Sequence, residues 1–243
     1  MFVEVVLSHH KRFYTPLPLS GKNEILIEGE EALHCHKVLR IKEGEEVVII
    51  NGRGEEVSGL IEKAEKEKLF VRFTKEIKIH QEPTSKIFLL IGMSEIDSLE
   101  EALLHTTELG VWKFCPVYTK YSVTKPELVE RKMERLKKIA VSGIKQSGFP
   151  FLPEIVVFKD LESALRKLPR EGFLFAQEAE KFLHQFGALP FETTFAVGPE
   201  GDFSEEEKAL FMECGFRKAK LSDNTLRVET ASVAALATAA VRF

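Results

Sequence analysis

The sequence predicts an α/β protein in which a parallel sheet with helices on both faces follows a smaller, mostly β part. Strand-like and helix-like segments alternate strictly from residue 86 to residue 197, and such alternation is typical of a covered parallel sheet. Short strand-like segments with a single helix occupy most of residues 1–80. The polar run 80–85 contains a proline and separates the two patterns, so we expect one domain at 1–80 and another at 81–243.

The first part contains one clear hairpin. Residues 45–50 and 56–61 are rich in β-branched side chains, and Asn51-Gly52 stands between them. Asn-Gly between two such runs is a strong hairpin signal. A further strand at 69–73 and a short helix at 30–39 complete the pattern, which indicates a small β-barrel.

The second part contains five predicted strands with helices between them. The strands are expected over 86–92, 113–118, 155–158, 173–176 and 194–197. The helices are expected over 98–109, 126–146, 160–168 and 178–187. Ser98 and Glu101 form a capping box for the first of these helices, and Gly110 ends it.

A glycine turn follows the strand at 194–197. Its sequence is Gly198-Pro199-Glu200-Gly201, and Ser204 with Glu207 then predicts a capped helix. Glycine permits close approach of a ligand or another backbone. Open α/β sheets bind ligands at the carboxyl ends of their strands, so the turn is a candidate binding site. A plain strand-to-helix connection would explain the same pattern.

Composition indicates a folded protein of the cytoplasm. The chain has 243 residues, of which 44% are hydrophobic and 30% charged, and its net charge is −4; these values exclude wholesale disorder. Its three scattered cysteines predict a reducing compartment and no disulfide framework. No signal-peptide core and no run of ~18 apolar residues is present. We therefore expect a cytoplasmic protein that has no membrane partner.

Motifs for other common chemistries are missing from the sequence. We find no G-x-G-x-x-G loop, no P-loop and no H-E-x-x-H pair. The segment His34-Cys35-His36 is the one metal-like cluster. Residues two apart on a helix do not face each other, and a zinc site needs about four ligands in suitable pairs. We therefore expect no metal site.

Two C-terminal motifs resemble those of a known family. The sequence GPEGDFS at 198–204 is followed by LRVETA at 226–231, and this pair resembles the signature of the ribosomal small-subunit methyltransferase E family. Members of that family are knotted, SPOUT-class RNA methyltransferases that use S-adenosylmethionine. Further matching pieces occur in order along nearly the whole chain: Arg12-Phe13, HCHKVLR at 34–40, TELGV at 107–111 and KQS at 145–147.

The resemblance implies a specific architecture and reaction. It implies a trefoil knot at the carboxyl ends of the parallel sheet and a PUA/OB-like, RNA-binding β-barrel at residues 1–80. The implied reaction transfers a methyl group from S-adenosylmethionine to N3 of a uridine in the decoding region of 16S rRNA. The implied partners are 16S rRNA, or the small ribosomal subunit, and a second copy of the chain.

Three loops are the expected cofactor site by this resemblance. They follow the strand at 173–176, follow the strand at 194–197, and precede the last helix. Their candidate residues are Ala176, Gln177, Glu178, Val197, Gly198, Pro199, Glu200, Gly201, Leu221, Ser222, Asn224 and Leu226. Simple turning of the chain, with Leu221 and Leu226 filling the core, would explain the same loops.

The chain departs from the family pattern at several positions. Asp202 replaces the second glycine of GPEGG, while Ser222 and Asn224 replace a glycine and an arginine in the following motif. His105 replaces a lysine, and an arginine usual near position 149 is missing. These differences place the RNA contacts in question more than the backbone path, which Gly198 and Gly201 preserve.

Arg227 is the expected catalytic cation. Uracil N3 carries a proton and becomes a good nucleophile only when it loses that proton, so the site must accept the proton or stabilise the anion. The Arg227 guanidinium stays protonated and would stabilise the uracil oxygens. Glu200, Asp202 and Glu229 are candidate bases. Glu229 would alternatively stabilise the start of the last helix through the helix dipole.

Basic residues in two regions are candidates for RNA contact. The first region contributes Arg12, His34 and Arg40, and Arg12 could reach the cofactor pocket of a partner subunit. The second is the segment 118–147, in which eight Lys and Arg outnumber three Glu. Its predicted helix carries the candidates Arg131, Arg135 and Lys138, which would position rRNA through phosphates. A solvated outer face is the alternative.

The predicted last helix has no charged side chain between residues 230 and 241. A lone surface helix normally carries Lys or Glu on its outer face, so this helix should be covered by the sheet and by a second subunit. Burial within one subunit is the alternative. Two other functions also remain open: methylation of another RNA, such as tRNA, and non-catalytic RNA binding during ribosome assembly.

Overall fold

A computed structural model describes residues 11–34 and 42–240. The chain separates into two compact units, Met1–Glu82 and Pro83–Phe243. The end of the predicted helix 30–39, the Cys35-His36 pair and Arg40 lie outside the described residues.

Within residues 11–34 and 42–82, the first unit is a six-stranded sheet with one short helix. Its elements are β1 Arg12–Tyr14, β2 Glu24–Glu28, α1 Glu30–His34, β3 Glu46–Ile50, β4 Glu55–Ala64, β5 Lys68–Phe73 and β6 Lys78–Ile79. The main strand order is β1-β3-β4-β5-β2, and β6 pairs with β4. The β1–β3 pair is parallel, and the other pairs are antiparallel.

Alternating side chains give this sheet one apolar face. Ile25 and Ile27 of β2 and Leu69 and Val71 of β5 are buried with Phe13 in a single core. The predicted hairpin is confirmed, because β3 pairs with β4 directly across the turn. Asn51 fixes that turn, since its side-chain oxygen accepts the N–H groups of residues 53 and 55 at 2.9 and 3.1 Å.

The second unit is a six-stranded, entirely parallel sheet. Its strands are β7 Lys86–Gly92, β8 Lys113–Val117, β9 Glu154–Ile155, β10 Gly172–Phe175, β11 Glu192–Val197 and β12 Arg217–Ala219. Its helices are α2 Ile96–Glu108, α3 Pro126–Arg131, α4 Met133–Ser147, α5 Leu161–Lys167, α6 Glu205–Glu213 and α7 Val228–Ala240. The strand order β12-β10-β11-β7-β8-β9 brings all carboxyl ends to one edge.

Apolar side chains cover both faces of this sheet, as predicted. On one face, Leu89 and Phe195 pack with residues of α2, α4 and α7. On the other face, Leu90 and Leu174 pack with residues of α5 and α6. A strand that buries both faces reads as a continuous apolar run rather than as an alternation, and IFLLIG in β7 is such a run.

Two helix boundaries differ from the predictions. The predicted capping box of Ser98 and Glu101 is wrong, because α2 begins two residues earlier and its N-cap Glu95 makes no side-chain cap bond. The predicted end at Gly110 is confirmed by a left-handed φ of 84°. The predicted helix 126–146 is two helices, because the backbone at Lys132 turns tightly and its N–H bonds to two carbonyls.

The predicted helix at 178–187 is wrong. Only Leu183–Gln185 form a single 3₁₀ turn. Residues 177–178 form a turn. Phe182 is extended and forms a parallel bridge with Lys220, and the Lys181 carbonyl accepts the Lys220 N–H at 2.9 Å. Pairing with Lys220, the residue after β12, therefore prevents a longer helix here.

Candidate active site

A cavity of about 620 Å³ opens at the carboxyl ends of β10 and β11. Three segments form most of it: the end of β10, the turn after β11, and the stretch from residue 220 into α7. The start of α2 contributes a fourth wall. Strand carboxyl ends are where open α/β sheets bind ligands, so this cavity is the candidate active site.

The turn after β11 lies unusually close to β7. A Cβ added to Gly92 would approach both the ring and the backbone nitrogen of Pro199 within 3.0 Å, a distance that real Cβ contacts essentially never show. Only glycine at position 92 therefore lets Pro199 occupy its place.

The predicted capping box of α6 is confirmed. The Glu207 N–H donates to Ser204 Oγ at 3.3 Å, and the Ser204 N–H donates to a Glu207 carboxylate oxygen at 2.8 Å.

Hydrogen bonds connect the cavity loops to one another. The side-chain amide of Gln177 donates to the carbonyl oxygen of Asp223 at 2.8 Å, which joins the loop after β10 to the segment before α7. Within that segment, the Asn224 N–H donates to Ser222 Oγ at 3.0 Å. The loop after β10 is thus joined directly to the segment before α7.

Most of the predicted cofactor residues meet in this cavity. Those that line it are Ala176, Gln177, Val197, Gly198, Pro199, Glu200, Leu221, Ser222, Asn224 and Leu226. Glu178 and Gly201 do not line it. The Glu178 carboxylate accepts a hydrogen bond from Lys218 at 2.9 Å, which holds the pKa of Glu178 below its usual value. Gly201 faces Tyr121 instead.

All four candidate catalytic residues also line the cavity, namely Arg227, Glu200, Asp202 and Glu229. Arg227 immediately precedes α7 and is exposed. Glu229 lies in the first turn of that helix. Four carboxylates line the cavity, those of Glu95, Glu200, Asp202 and Glu229, together with two cations, Lys220 and Arg227. The Asp202 carboxylate is already paired with a lysine outside the lining. The arrangement favours a ligand with positive charge.

The sequence analysis did not predict that the start of α2 and the loop after β8 contribute to the cavity. Glu95, Ser98 and Val123 line the cavity because β7 lies between β11 and β8. Glu95 also donates its N–H to the Glu200 carboxylate at 3.4 Å. The sequence does not give strand order, so it offered no signal for these residues.

The candidate RNA-binding residues have different environments. Arg135 forms two contacts of 2.5 Å with the carboxylate of Glu100, a largely buried residue, so its charge is already neutralised. Arg131 donates to the carbonyl of Glu127 at 3.2 Å and is exposed, as is Lys138. Arg12 lies in β1 and His34 ends α1; Arg40 is outside the described residues.

The described part of the chain contains neither a metal-binding cluster nor a helix that could cross a membrane. Within residues 11–34 and 42–240, no group of three or more His, Cys, Asp and Glu side chains is arranged to hold a metal ion. In the same part of the chain, no helix has both the length and the apolar character needed to cross a bilayer.

Comparison with known proteins identifies two family domains. The RNA methyltransferase domain family matches residues 80–240, and the RNA methyltransferase PUA domain family matches residues 27–74. The chain is 28% identical over 222 residues to ribosomal RNA small subunit methyltransferase E of Helicobacter pylori strain J99, covering 89% of this chain and 94% of that protein.

Two solved structures resemble the whole chain. A methyltransferase of Legionella pneumophila, in complex with the bound cofactor S-adenosylmethionine, has a TM-score of 0.87 and 27% identity, covering 96% of this chain and 97% of that one. The methyltransferase E of Neisseria gonorrhoeae, bound to S-adenosylmethionine, has a TM-score of 0.83 and 26% identity, covering 94% and 96%. This chain therefore belongs to the RNA methyltransferase domain family and also carries an RNA methyltransferase PUA domain, and it is similar to ribosomal RNA small subunit methyltransferase E over most of its length.

Proposed function

We propose that this protein binds S-adenosylmethionine and methylates N3 of a uridine in the decoding region of 16S rRNA. The observation that carries the proposal is the cavity at the carboxyl ends of β10 and β11, in which both halves of the paired C-terminal motif meet. Two structural relatives bind S-adenosylmethionine, and the curated relatives are rRNA methyltransferases. The domain at 81–243 would carry the reaction.

The cavity residues fit this cofactor chemically. Phe175, Val197, Leu221 and Leu226 supply apolar walls for an adenine ring. The backbone of the three loops supplies donors and acceptors, and the excess of carboxylates suits a ligand that carries a sulfonium and an ammonium group. Glu178 and Gly201 lie outside the lining, and their proposed role is to support the loops that hold the cofactor.

The residues around the cavity then divide the chemistry. Bound S-adenosylmethionine supplies the methyl group on a positively charged sulfur. Arg227 stabilises the uracil oxygens as N3 loses its proton, because a fixed cation lowers the energy of the developing anion. Glu200, Asp202 or Glu229 accepts that proton, and each is a cavity-lining carboxylate.

The PUA domain at 1–80 would hold the rRNA or the assembled small subunit in the cytoplasm. Arg12, His34 and Arg40 are its proposed contacts, and Arg131 and Lys138 are proposed contacts from α3 and α4. Such contacts fix the position of an RNA without reading its sequence. Arg135 is a weaker candidate because Glu100 already binds it. The resemblance to the family further supports a trefoil knot at the carboxyl ends of the parallel sheet.

Mapping of methylated nucleosides in a deletion strain tests this proposal. The 16S rRNA of a strain without the gene should lack one N3-methyluridine in the decoding region, and expression of the parent protein should restore it. If 16S rRNA is unchanged and a tRNA nucleoside is lost instead, the substrate is tRNA. If all RNA modifications remain, the protein is not the proposed enzyme.

Gly201→Val tests the position of the cofactor turn. An added Cβ would lie 2.8 Å from Tyr121 Cβ and 3.3 Å from its ring, so a branched side chain must displace Tyr121 or the turn. We expect binding of S-adenosylmethionine to weaken about tenfold by calorimetry, which corresponds to about 1.4 kcal/mol. Gly187→Val is the control, because no atom lies within 4 Å of its added Cβ. Parent-like affinity in a folded Gly201→Val protein contradicts the assignment of this turn.

We also propose a homodimer that uses the outer face of α7. Within one subunit, α7 buries Val228, Ser232, Ala235, Leu236 and Ala239. Its opposite face carries Thr230, Ala234 and Ala237, which have no charge and are not buried. An uncharged outer face is unusual for a helix in contact with water, and a two-fold interface would cover it in both subunits.

Ala237→Arg tests this interface. The substitution adds one charge to each copy of the proposed contact, so the dimer should dissociate while each subunit stays folded. Light scattering should change from dimer mass to monomer mass at micromolar concentration. Ala235→Arg should instead unfold the protein, because Ala235 is fully buried within the subunit. A parent protein that is monomeric and fully active contradicts the proposal.

A further inference from the structure

Asp202 has an unusual backbone conformation at the edge of the cavity. Its φ is 62°, and among the described residues it is the one non-glycine residue with a positive φ. A left-handed conformation is unfavourable for most side chains, and Gly, Asn and Asp adopt it most readily. Asp202 stands where the family pattern has a second glycine, so this chain must stabilise the same turn in another way.

Two contacts of the Asp202 carboxylate stabilise it: the Phe203 N–H donates to Oδ1 at 2.7 Å, and the other oxygen binds Lys208 of α6. Its Nζ lies 2.9 Å from a carboxylate oxygen of Asp202 and 3.3 Å from one of Glu205. The Lys208 side chain is only 11% exposed. Burial opposes its charge, yet hydrogen bonds to Asp202 and Glu205 raise the pKa of Lys208 above its usual value. Lys208 is therefore a fixed, charged partner for Asp202.

The same ammonium group connects two cavity loops. Lys208 Nζ lies 3.6 Å from the carboxylate of Glu178, which directly follows the cavity residue Gln177. Glu178 also accepts a hydrogen bond from Lys218 of β12 at 2.9 Å. Lys208 thus lies between the turn at 198–202 and the loop after β10. It does not itself line the cavity.

We propose that Lys208 is a positioning residue that holds Asp202 in its left-handed conformation and so keeps the cofactor loops in the binding arrangement. The inference rests on the proposed binding of S-adenosylmethionine. When the ion pair is removed, the turn samples other conformations. The apparent affinity for S-adenosylmethionine then falls in proportion to the fraction of molecules that keep the binding-competent conformation of the turn.

Two sets of variants test this role by calorimetric titration with S-adenosylmethionine. Lys208→Met should weaken binding about tenfold in the parent and by less than about threefold in an Asp202→Gly background, because glycine adopts positive φ unaided. At position 202 alone, Ala should weaken binding about tenfold more than Gly. Ala and Gly both lack the carboxylate, so their difference reports the backbone requirement even if Lys208→Met fails to fold.

Lys113→Met is the matched control. It removes another ion pair of the second unit, between Lys113 and Glu154 at 2.7 Å, and Lys113 does not line the cavity. It should alter thermal stability without changing affinity. Parent-like affinity of Lys208→Met, or equal affinities of Asp202→Ala and Asp202→Gly, overturns the inference. A parent protein that does not bind S-adenosylmethionine refutes the proposed function instead.

Discussion

Arg227→Ala should lower kcat for rRNA methylation by about 100-fold or more while Tm and cofactor affinity stay near those of the parent. Loss of one group that stabilises a developing anion typically costs 10²–10³ in rate. Arg227 lines the cavity and is exposed. Among the described residues it has no side-chain hydrogen bond or ion pair, so its removal leaves no buried partner unpaired.

Single-turnover methylation with saturating S-adenosylmethionine measures the effect of Arg227→Ala on the chemical step. Arg166→Ala is the control, because Arg166 is an exposed residue of α5 that pairs with Glu162 across one helix turn. Arg227→Lys should recover part of the rate, since it keeps the charge and loses the planar donor fork. A large fall in Tm with normal specific activity would assign Arg227 to folding instead.

Gly92→Ala should abolish most cofactor binding, although position 92 lies in a strand and does not line the cavity. The added methyl group would meet the ring and backbone nitrogen of Pro199, and backbone cannot move aside as a side-chain end can. Overpacking of this kind typically costs 1–3 kcal/mol. We expect the affinity for S-adenosylmethionine to fall at least tenfold and Tm to fall by several degrees.

Gly187→Ala is the matched control for Gly92→Ala, because its new methyl group would meet no atom within 4 Å. Calorimetric titration and a thermal melt on the two variants separate a general effect of losing a glycine from displacement of the turn. A folded Gly92→Ala protein that binds with parent affinity would show that the position of Pro199 does not matter to the ligand.

Local sequence patterns predicted β11, the turn after it and the start of α6. The apolar run of β11, the glycines after it and the Ser204–Glu207 capping box all lie within one stretch of chain, and the structure has each of them. The alternation of strands and helices similarly predicted the parallel sheet. The structure places ten of the twelve cofactor residues predicted from the family resemblance in the lining of one cavity.

Features that depend on distant residues could not be predicted. The close approach of Gly92 to Pro199 requires β7 to neighbour β11, and the sequence does not specify that order. β12 was not predicted, because this strand of three residues contains Arg217 and Lys218 and has no apolar run. The wrong helix at 178–187 has the same origin, since Phe182 pairs with Lys220, the residue after β12.

Transfer of a labelled methyl group to isolated small ribosomal subunits is the most direct test of the proposed activity. Subunits from a strain without the gene are incubated with the purified protein and methyl-labelled S-adenosylmethionine, and the 16S nucleosides are then separated and identified by mass. The account predicts label in one N3-methyluridine of the decoding region and none with Arg227→Ala. Absence of label from 16S rRNA, or label on another base or on the ribose, would contradict it.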